Sequence, residues 1–166
     1  MTPPLPPSVD SGRKLLLDQL GRLLTVESTL AKLVLPHLAQ EIADDELKQA
    51  VQQHLQETKG HVMNVEEAFA RLGEEPAGKP ASGLDGLRLE RDEKTGDIAL
   101  GLRAGFECAA AMGTEHYEIN LYDAAIRVAT ALGEDDVAAL LRTNLTQETA
   151  ALEKLAGHAD RLAQQL

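Results

Sequence analysis

Residues 115–149, EHYEINLYDAAIRVATALGEDDVAALLRTNLTQET, contain two glutamates at equal distances from a glycine that can end a helix. Glu118 lies 15 positions before Gly133, and Glu148 lies 15 positions after it. If the flanking segments are antiparallel helices, both carboxylates lie at one level, about 20 Å from the turn at ~1.5 Å per residue. This stretch therefore predicts a helical hairpin that places two carboxylates side by side.

The same arrangement occurs earlier in the chain. Glu27 and Glu57 are also 30 residues apart, with a turn at Ile42-Ala43-Asp44 midway between them. A shift of 91 residues aligns Glu27 with Glu118 and Glu57 with Glu148 without a gap. Two such hairpins joined by one long crossover predict an all-α, ferritin-like four-helix bundle.

Apolar stripes at helical spacing and turn residues give the bounds of these helices. We predict helix 1 from Ser8–Ser11 to about Gln40, helix 2 from Asp44 or Asp45 to Gly73, helix 3 from about Asp97 to Leu132, and helix 4 from Asp135 to about Leu162. Pro36 predicts a kink one turn before it. Residues 74–96 predict the crossover, with one short helix at 84–93. We expect residues 1–10 to be a flexible tail and residues 11–166 to form one domain.

The composition excludes several classes of protein. Aromatic residues make up only 2% of the chain, so the core must consist of Leu, Ala and Val, which suits closely packed helices. A net charge of −11 argues against nucleic acid or an anionic membrane as partner, because both favour a basic surface. No apolar run is long enough to span a membrane, and the single Cys108 permits a cytoplasmic location, which we expect.

Each of the four glutamates lies where the helical spacing predicts a core residue. One such glutamate alone usually lies at the edge of an apolar stripe, but four at one level predict a shared site. Buried anions cost several kcal/mol each, so a cation should lie between them. Hard oxygen ligands with one or two imidazoles suit iron, expected at two ions per chain, or manganese or zinc. The predicted ligands are Glu27, Glu57, His61, Glu118 and Glu148, with Glu115 as a further ligand.

Symmetry between the hairpins predicts that Glu57 and Glu148 bridge two metal ions and that Glu27 and Glu118 bind one each. His54 precedes Glu57 by three positions and is expected to orient it rather than to bind metal. Tyr122 is predicted either to pack in the core or to donate a hydrogen bond from its hydroxyl to a ligand. Cys108 is predicted to be a small core residue. The residues predicted not to bind metal are His37, His116, His158 and Glu107.

Three segments carry a resemblance to a known family: Leu55-Gln56-Glu57-Thr58-Lys59-Gly60-His61, Glu115-His116-Tyr117-Glu118-Ile119 and Gln147-Glu148-Thr149. Together with Leu35-Pro36, they resemble the YciE/YciF family of ferritin-like bacterial stress proteins over about residues 11–160. The resemblance implies a helical bundle, a di-iron centre with ferroxidase-like activity and a cytoplasmic homodimer. We expect a dimer and not a cage, also because no fifth helix follows helix 4.

The chain departs from the Glu-x-x-His pattern of many di-iron sites. Gly60 occupies the histidine position after Glu57, and Ala151 occupies it after Glu148. Leu152 takes the place that matches His61, so the half of the site around Glu148 is expected to lack a ligand. Three functions are therefore open: a di-iron protein that reacts with oxygen or peroxide, a non-enzymatic dimeric scaffold, and a manganese catalase-like enzyme.

Overall fold

The structure is a computed structural model and describes residues 8–166, so most of the predicted flexible tail lies outside the described residues. The described part contains helices and no strands: α1 (Gly12–Thr29), a π-helical turn (Leu30–Val34), α2 (Leu35–Glu41), α3 (Asp45–Arg71), α4 (Ser82–Thr95), a 3₁₀ turn (Leu100–Leu102), α5 (Arg103–Ala131) and α6 (Asp135–Ala163). This confirms the predicted all-α fold.

The first long helix runs without a break through α1, the π-helical turn and α2. It begins at the N-cap Ser11, whose hydroxyl accepts a hydrogen bond from the backbone N–H of Lys14 at 3.3 Å. The π-helical turn lies where the sequence predicts a kink before Pro36, and there the Leu35 N–H bonds to the Leu30 carbonyl, five residues back. A proline disturbs the hydrogen bonds of the preceding turn, and widening that turn accommodates it.

The predicted turns lie close to their expected positions. Asp44 caps α3 by accepting a hydrogen bond from the Leu47 N–H at 2.9 Å. Gly73 and Gly133 follow α3 and α5 with φ angles of +72° and +76°, a conformation that favours glycine. The start of helix 3 was predicted too early, because residues 97–99 are not helical and α5 begins only at Arg103.

Four long helices form the bundle, and α4 crosses outside it against α5. Helix α6 packs on both α5 and α3, and α1 packs on α3 and α5, so the two hairpins close around one core. The fully buried leucines Leu16, Leu20 and Leu23 place the apolar stripe of α1 in that core. No helix in residues 8–166 is long and apolar enough to cross a membrane.

Candidate metal centre

Six ionisable side chains lie buried at the middle of the bundle, contributed by all four long helices. The set consists of Glu27 from α1, His54 and His61 from α3, Glu115 and Glu118 from α5, and Glu148 from α6. Four of them have no exposed surface, and even the most accessible, His54, is only 8% exposed. Five of the six predicted ligands are therefore brought together.

The cluster divides into two groups whose ligand atoms could each surround one ion. His54, Glu115, Glu118 and Glu148 form one group, and their candidate ligand atoms lie within 4.8 Å of one another. Glu27, His61 and Glu148 form the second group under the same limit. Glu148 is the shared member, which is the position that the sequence predicts for a bridging carboxylate.

Most polar atoms of the cluster have no hydrogen-bond partner within the described part of the chain. The buried atoms of this kind are Glu27 Oε2, His54 Nδ1, His61 Nδ1, Glu115 Oε2, both Glu118 carboxylate oxygens and both Glu148 carboxylate oxygens. An unpaired buried polar group costs about 1–3 kcal/mol, and a charged group more. The residues present therefore fit a bound metal cation, because a cation would satisfy these lone pairs together.

The His61 ring is oriented so that one nitrogen faces the cluster. Its Nε2 lies 2.7 Å from Gln147 Oε1, and because an amide oxygen only accepts, the ring donates from Nε2. The other ring nitrogen, Nδ1, lies 2.7 Å from Glu148 Oε1 and 3.5 Å from Glu27 Oε2. Fixing the tautomer through the outer nitrogen is a common feature of histidine metal ligands.

A second set of hydrogen bonds holds Glu27. The buried hydroxyl of Tyr122 donates to Glu27 Oε1, and the same hydroxyl accepts from Asn144 Nδ2 at 2.9 Å. Asn144 also accepts at its Oδ1 from Asn64 at 2.7 Å. Of the two predicted roles of Tyr122, the structure therefore supports donation to a carboxylate of the cluster.

Burial and charge change the pKa values of these groups. The pKa of Glu148 is raised to about 8, mainly by burial and also by the neighbouring carboxylates of Glu27 and Glu115, against the opposing effect of His61. Burial and the charges of Glu148 and Glu27 likewise hold the pKa of Glu118 well above its usual range. Glu118 and Glu148 therefore carry protons near neutral pH when no metal is bound.

The pKa values of His54 and His61 are also raised, but for a different reason. Burial opposes their protonation, but the nearby carboxylates outweigh it. The pKa of His54 rises to about 9, mainly through Glu115, and that of His61 rises to about 10, through Glu148 and Glu27. A metal ion that binds both imidazoles must therefore displace protons from them.

The structure does not bring Glu57 into the cluster. Its side chain is 23% exposed, its Oε1 accepts a hydrogen bond from Gln53 at 2.9 Å, and its Oε2 lies 3.6 Å from His54 Nδ1. The buried line of α3 passes through His54, Thr58 and His61, so Glu57 lies one position beside it. This placement differs from the predicted bridging position, and ligation by Glu57 stays a prediction.

His54 takes a more central position than the sequence indicated. Its Nε2 lies 3.2 Å from Glu115 Oε1 and 3.6 Å from Glu148 Oε2. The expected lack of a ligand around Glu148 is thus corrected, because α3 supplies an imidazole there in place of Ala151 or Leu152 of α6. The spacing of His54 and His61 by seven residues, two helical turns, is the sequence signal that identifies both as core-facing.

The other predicted non-ligands lie outside both groups. Cys108 is fully buried, and its thiol donates to the Leu155 carbonyl at 3.1 Å. Glu107 is paired with Arg91, whose Nε lies 2.8 Å from Glu107 Oε2. His37, His116 and His158 belong to neither candidate ligand group.

Comparison with known proteins supports the fold and the predicted resemblance. YcfI of Rhodopseudomonas palustris, described as a candidate structural protein, is 33% identical, with a TM-score of 0.88 over 92% of this chain and 97% of that chain. The Escherichia coli stress protein YciF is 25% identical, with a TM-score of 0.87 over 95% of this chain and 99% of that chain.

A third solved structure, a Xanthomonas campestris protein, shares the fold, with a TM-score of 0.73 over 92% of this chain and 94% of that chain at 22% identity. No curated protein sequence matches the chain. The YciF-type resemblance that the glutamate segments predict is thus confirmed. Over residues 11–166 the chain matches, and so belongs to, the family described as Domain of unknown function (DUF892).

Proposed function

We propose that this protein binds two iron ions at the buried cluster and oxidises ferrous iron with dioxygen or peroxide. The observation that carries the proposal is the pair of ligand groups that share Glu148, in which most inward-facing ligand atoms have no partner in the described chain. Manganese and zinc fit the same donor set, and manganese would support the catalase-like alternative.

The ligand inventory supports two ions rather than one. Leaving Glu57 aside, the cluster holds four carboxylates and two imidazoles, which is the total of the di-iron carboxylate sites in four-helix bundles. Four ionised carboxylates and two neutral imidazoles balance the charge of two divalent cations. The distribution differs, because here both imidazoles come from α3 and α5 provides two carboxylates.

When bound, two ferrous ions can supply two electrons, which with two protons reduce dioxygen to hydrogen peroxide or hydrogen peroxide to two waters. The chain contributes position and proton control. Gln147 holds the ring of His61, and Tyr122 holds the carboxylate of Glu27. Because their pKa values are raised, Glu148 and Glu118 hold protons in the absence of metal. Metal binding would release these protons.

A dimeric stress-related role is part of the same proposal. The support is the resemblance to YciF, whose description names it a stress protein. The alternative is a non-enzymatic scaffold, which the description of YcfI as a candidate structural protein favours. Metal binding and turnover separate the two functions.

The test is anaerobic titration of metal-free protein with ferrous iron, followed by exposure to dioxygen or hydrogen peroxide. We expect two ions per chain and, at about 100 times the dissociation constant, a stabilisation of about 2.7 kcal/mol for each ion bound. The melting temperature should rise by roughly 5–10 °C for each ion.

Glu148→Gln should abolish the uptake, whereas His116→Gln, on the exposed side of α5, should not. Uptake of iron without oxidation faster than in buffer would favour the scaffold. Absence of uptake in the wild type would refute the metal site itself.

A further inference from the structure

A narrow cavity connects the outside of the bundle with the edge of the cluster. Its inner end is formed by His54 and Glu115, and its outer end by Arg88, Arg91 and Glu107. Between these ends the wall is made of apolar side chains from the first helix, α4 and α5: Leu30, Val34, Leu35, Leu38, Leu87 and Ala111. Two of the wall residues, Leu30 and Val34, belong to the π-helical turn, a feature often found at functional sites.

The size and chemistry of the cavity limit what it can hold. Its volume is about 50 Å³, and a neighbouring cavity of about 30 Å³ reaches the same histidine and glutamate. A single water needs roughly 10–15 Å³ and two to four polar partners, whereas an apolar cavity of about 150 Å³ holds benzene. Between its ends the wall offers one polar side chain, Thr114, whose hydroxyl donates to the Ala110 carbonyl at 3.5 Å, so a small apolar molecule of two or three atoms fits better than water or peroxide.

The outer end does not favour the entry of a cation. Arg91 donates to Glu107 at 2.8 Å and 3.0 Å and to Glu41 at 3.0 Å, so these carboxylates are already paired. The half-buried Arg88 adds a second positive charge at the same rim. The two arginines balance these two carboxylates, so neither carboxylate is free to draw in a ferrous ion, whereas an uncharged molecule needs no such group.

From this combination we infer that the apolar cavity is a binding site and entry path for dioxygen, separate from the path of the metal ions. The role of dioxygen as the oxidant rests on the proposed function. The cavity itself is formed by protein side chains and does not depend on bound iron. Ala111 has the smallest of the side chains that line both cavities, so a larger side chain there would fill them and block access. Dioxygen would reach the cluster beside His54 and Glu115.

The test uses Ala111→Leu, with Ala109→Leu as the matched control on the exposed side of the same helix. Leucine is a good helix former, so both variants should fold. Metal-free crystals under xenon pressure should show xenon next to Leu35 and His54 in the wild type and in Ala109→Leu. Xenon should be absent from this position in Ala111→Leu, because apolar cavities bind xenon only where space remains.

The second measurement uses iron-loaded protein. Ala111→Leu should slow iron oxidation by dioxygen roughly tenfold or more, as expected for added bulk in an apolar site. Oxidation by hydrogen peroxide should change much less, and the iron content should stay at the wild-type value.

Equal xenon binding in all three proteins, or no xenon in the wild type, would overturn the inference even if iron oxidation proceeds. If no iron binds, the proposed function fails, while the xenon result still decides whether the cavity is a site for apolar gas molecules.

Discussion

Gln147 and Glu148 are neighbours on α6, and together they contact both nitrogens of the His61 ring. Gln147 Oε1 lies 2.7 Å from Nε2, and Glu148 Oε1 lies 2.7 Å from Nδ1. The second contact joins two titratable groups, and because the pKa of His61 is raised to about 10, the ring carries a proton on Nδ1 when no metal is bound. One helix therefore orients the ring of His61 and also places the carboxylate that would share a metal ion with it.

Gln147→Ala should weaken metal binding at His61, because the ring loses the partner that fixes its orientation. Losses of such outer partners typically reduce metal affinity by about 10–100-fold. Competition with a chelator of known affinity would measure the change. Gln53→Ala is the matched control, since Gln53 pairs with Glu57 outside both ligand groups, and its affinity should remain at the wild-type value. An equal effect of both variants would contradict the assignment.

Symmetry predicts that both Glu57 and Glu148 bridge the metal ions, whereas the structure supports Glu148 alone. The variants Glu148→Gln and Glu57→Gln test the two residues separately. Glu148 belongs to both ligand groups, so its loss should abolish binding of two ions. Glu57 is partly exposed and lies outside both groups, so Glu57→Gln should keep two ions per chain. Metal analysis after gel filtration measures both. If Glu57→Gln also loses the metal, Glu57 belongs to the ligand set and the symmetric assignment is right.

The stability of the metal-free protein should fall as pH rises from about 4.5 to 10. His54, His61 and Glu148 have folded pKa values of about 9, 10 and 8, against ordinary values of 6.5, 6.5 and 4.5. Each value is raised, so the folded state binds these protons more tightly than the unfolded state does. That contribution is complete below the ordinary pKa and is lost as pH rises through the folded pKa.

Thermal unfolding in the presence of a chelator at pH 6 and pH 9 would show this loss as a lower melting temperature at pH 9. Metal replaces the same protons, so the stabilisation by metal should be larger at pH 9 than at pH 6. A metal-free melting temperature that increases between these pH values would contradict the prediction.

Tyr122→Phe should destabilise the metal-free protein by about 1–3 kcal/mol, because Glu27 loses a buried donor and Asn144 loses an acceptor. Urea unfolding at neutral pH would measure the change. Tyr117→Phe is the control, since the ring of Tyr117 lies against Gly83 outside the cluster, and its effect should stay within about 0.5 kcal/mol. Similar losses in both variants would mean that the Tyr122 hydroxyl does not support Glu27.

We further expect a homodimer, with a mass in solution near twice the 17.9 kDa of one chain. The expectation comes from the family resemblance, and the apolar side chains that stay exposed, such as Leu33, Met63 and Leu89, are compatible with it. Light scattering of the metal-free and metal-loaded protein would measure the mass. A monomer, or a cage of several hundred kilodaltons, would refute the expectation.

The sequence alone determined the helical hairpins and five of the six residues of the cluster. Glu27 and Glu118 interrupt continuous apolar stripes, and each is fully buried as the stripes predict. The turns at Asp44 and Gly133 follow from local preferences for caps and for a positive φ, which do not depend on distant residues. These features are local, so the pattern of a single helix is enough to predict them.

The tertiary structure decided which of two neighbouring residues of α3, Glu57 or Thr58, points inward. Glu57 and Thr58 are neighbours about 100° apart around the helix, and the spacing to His54 and His61 permits either at the edge of the stripe. Packing against α1, α2 and α6 turns Thr58 inward and leaves Glu57 at the side, although its counterpart Glu148 is fully buried. The helix rotation depends on these contacts between distant segments, and the alternating spacing of three and four residues through Val51, His54, Thr58, His61 and Val65 agrees with it.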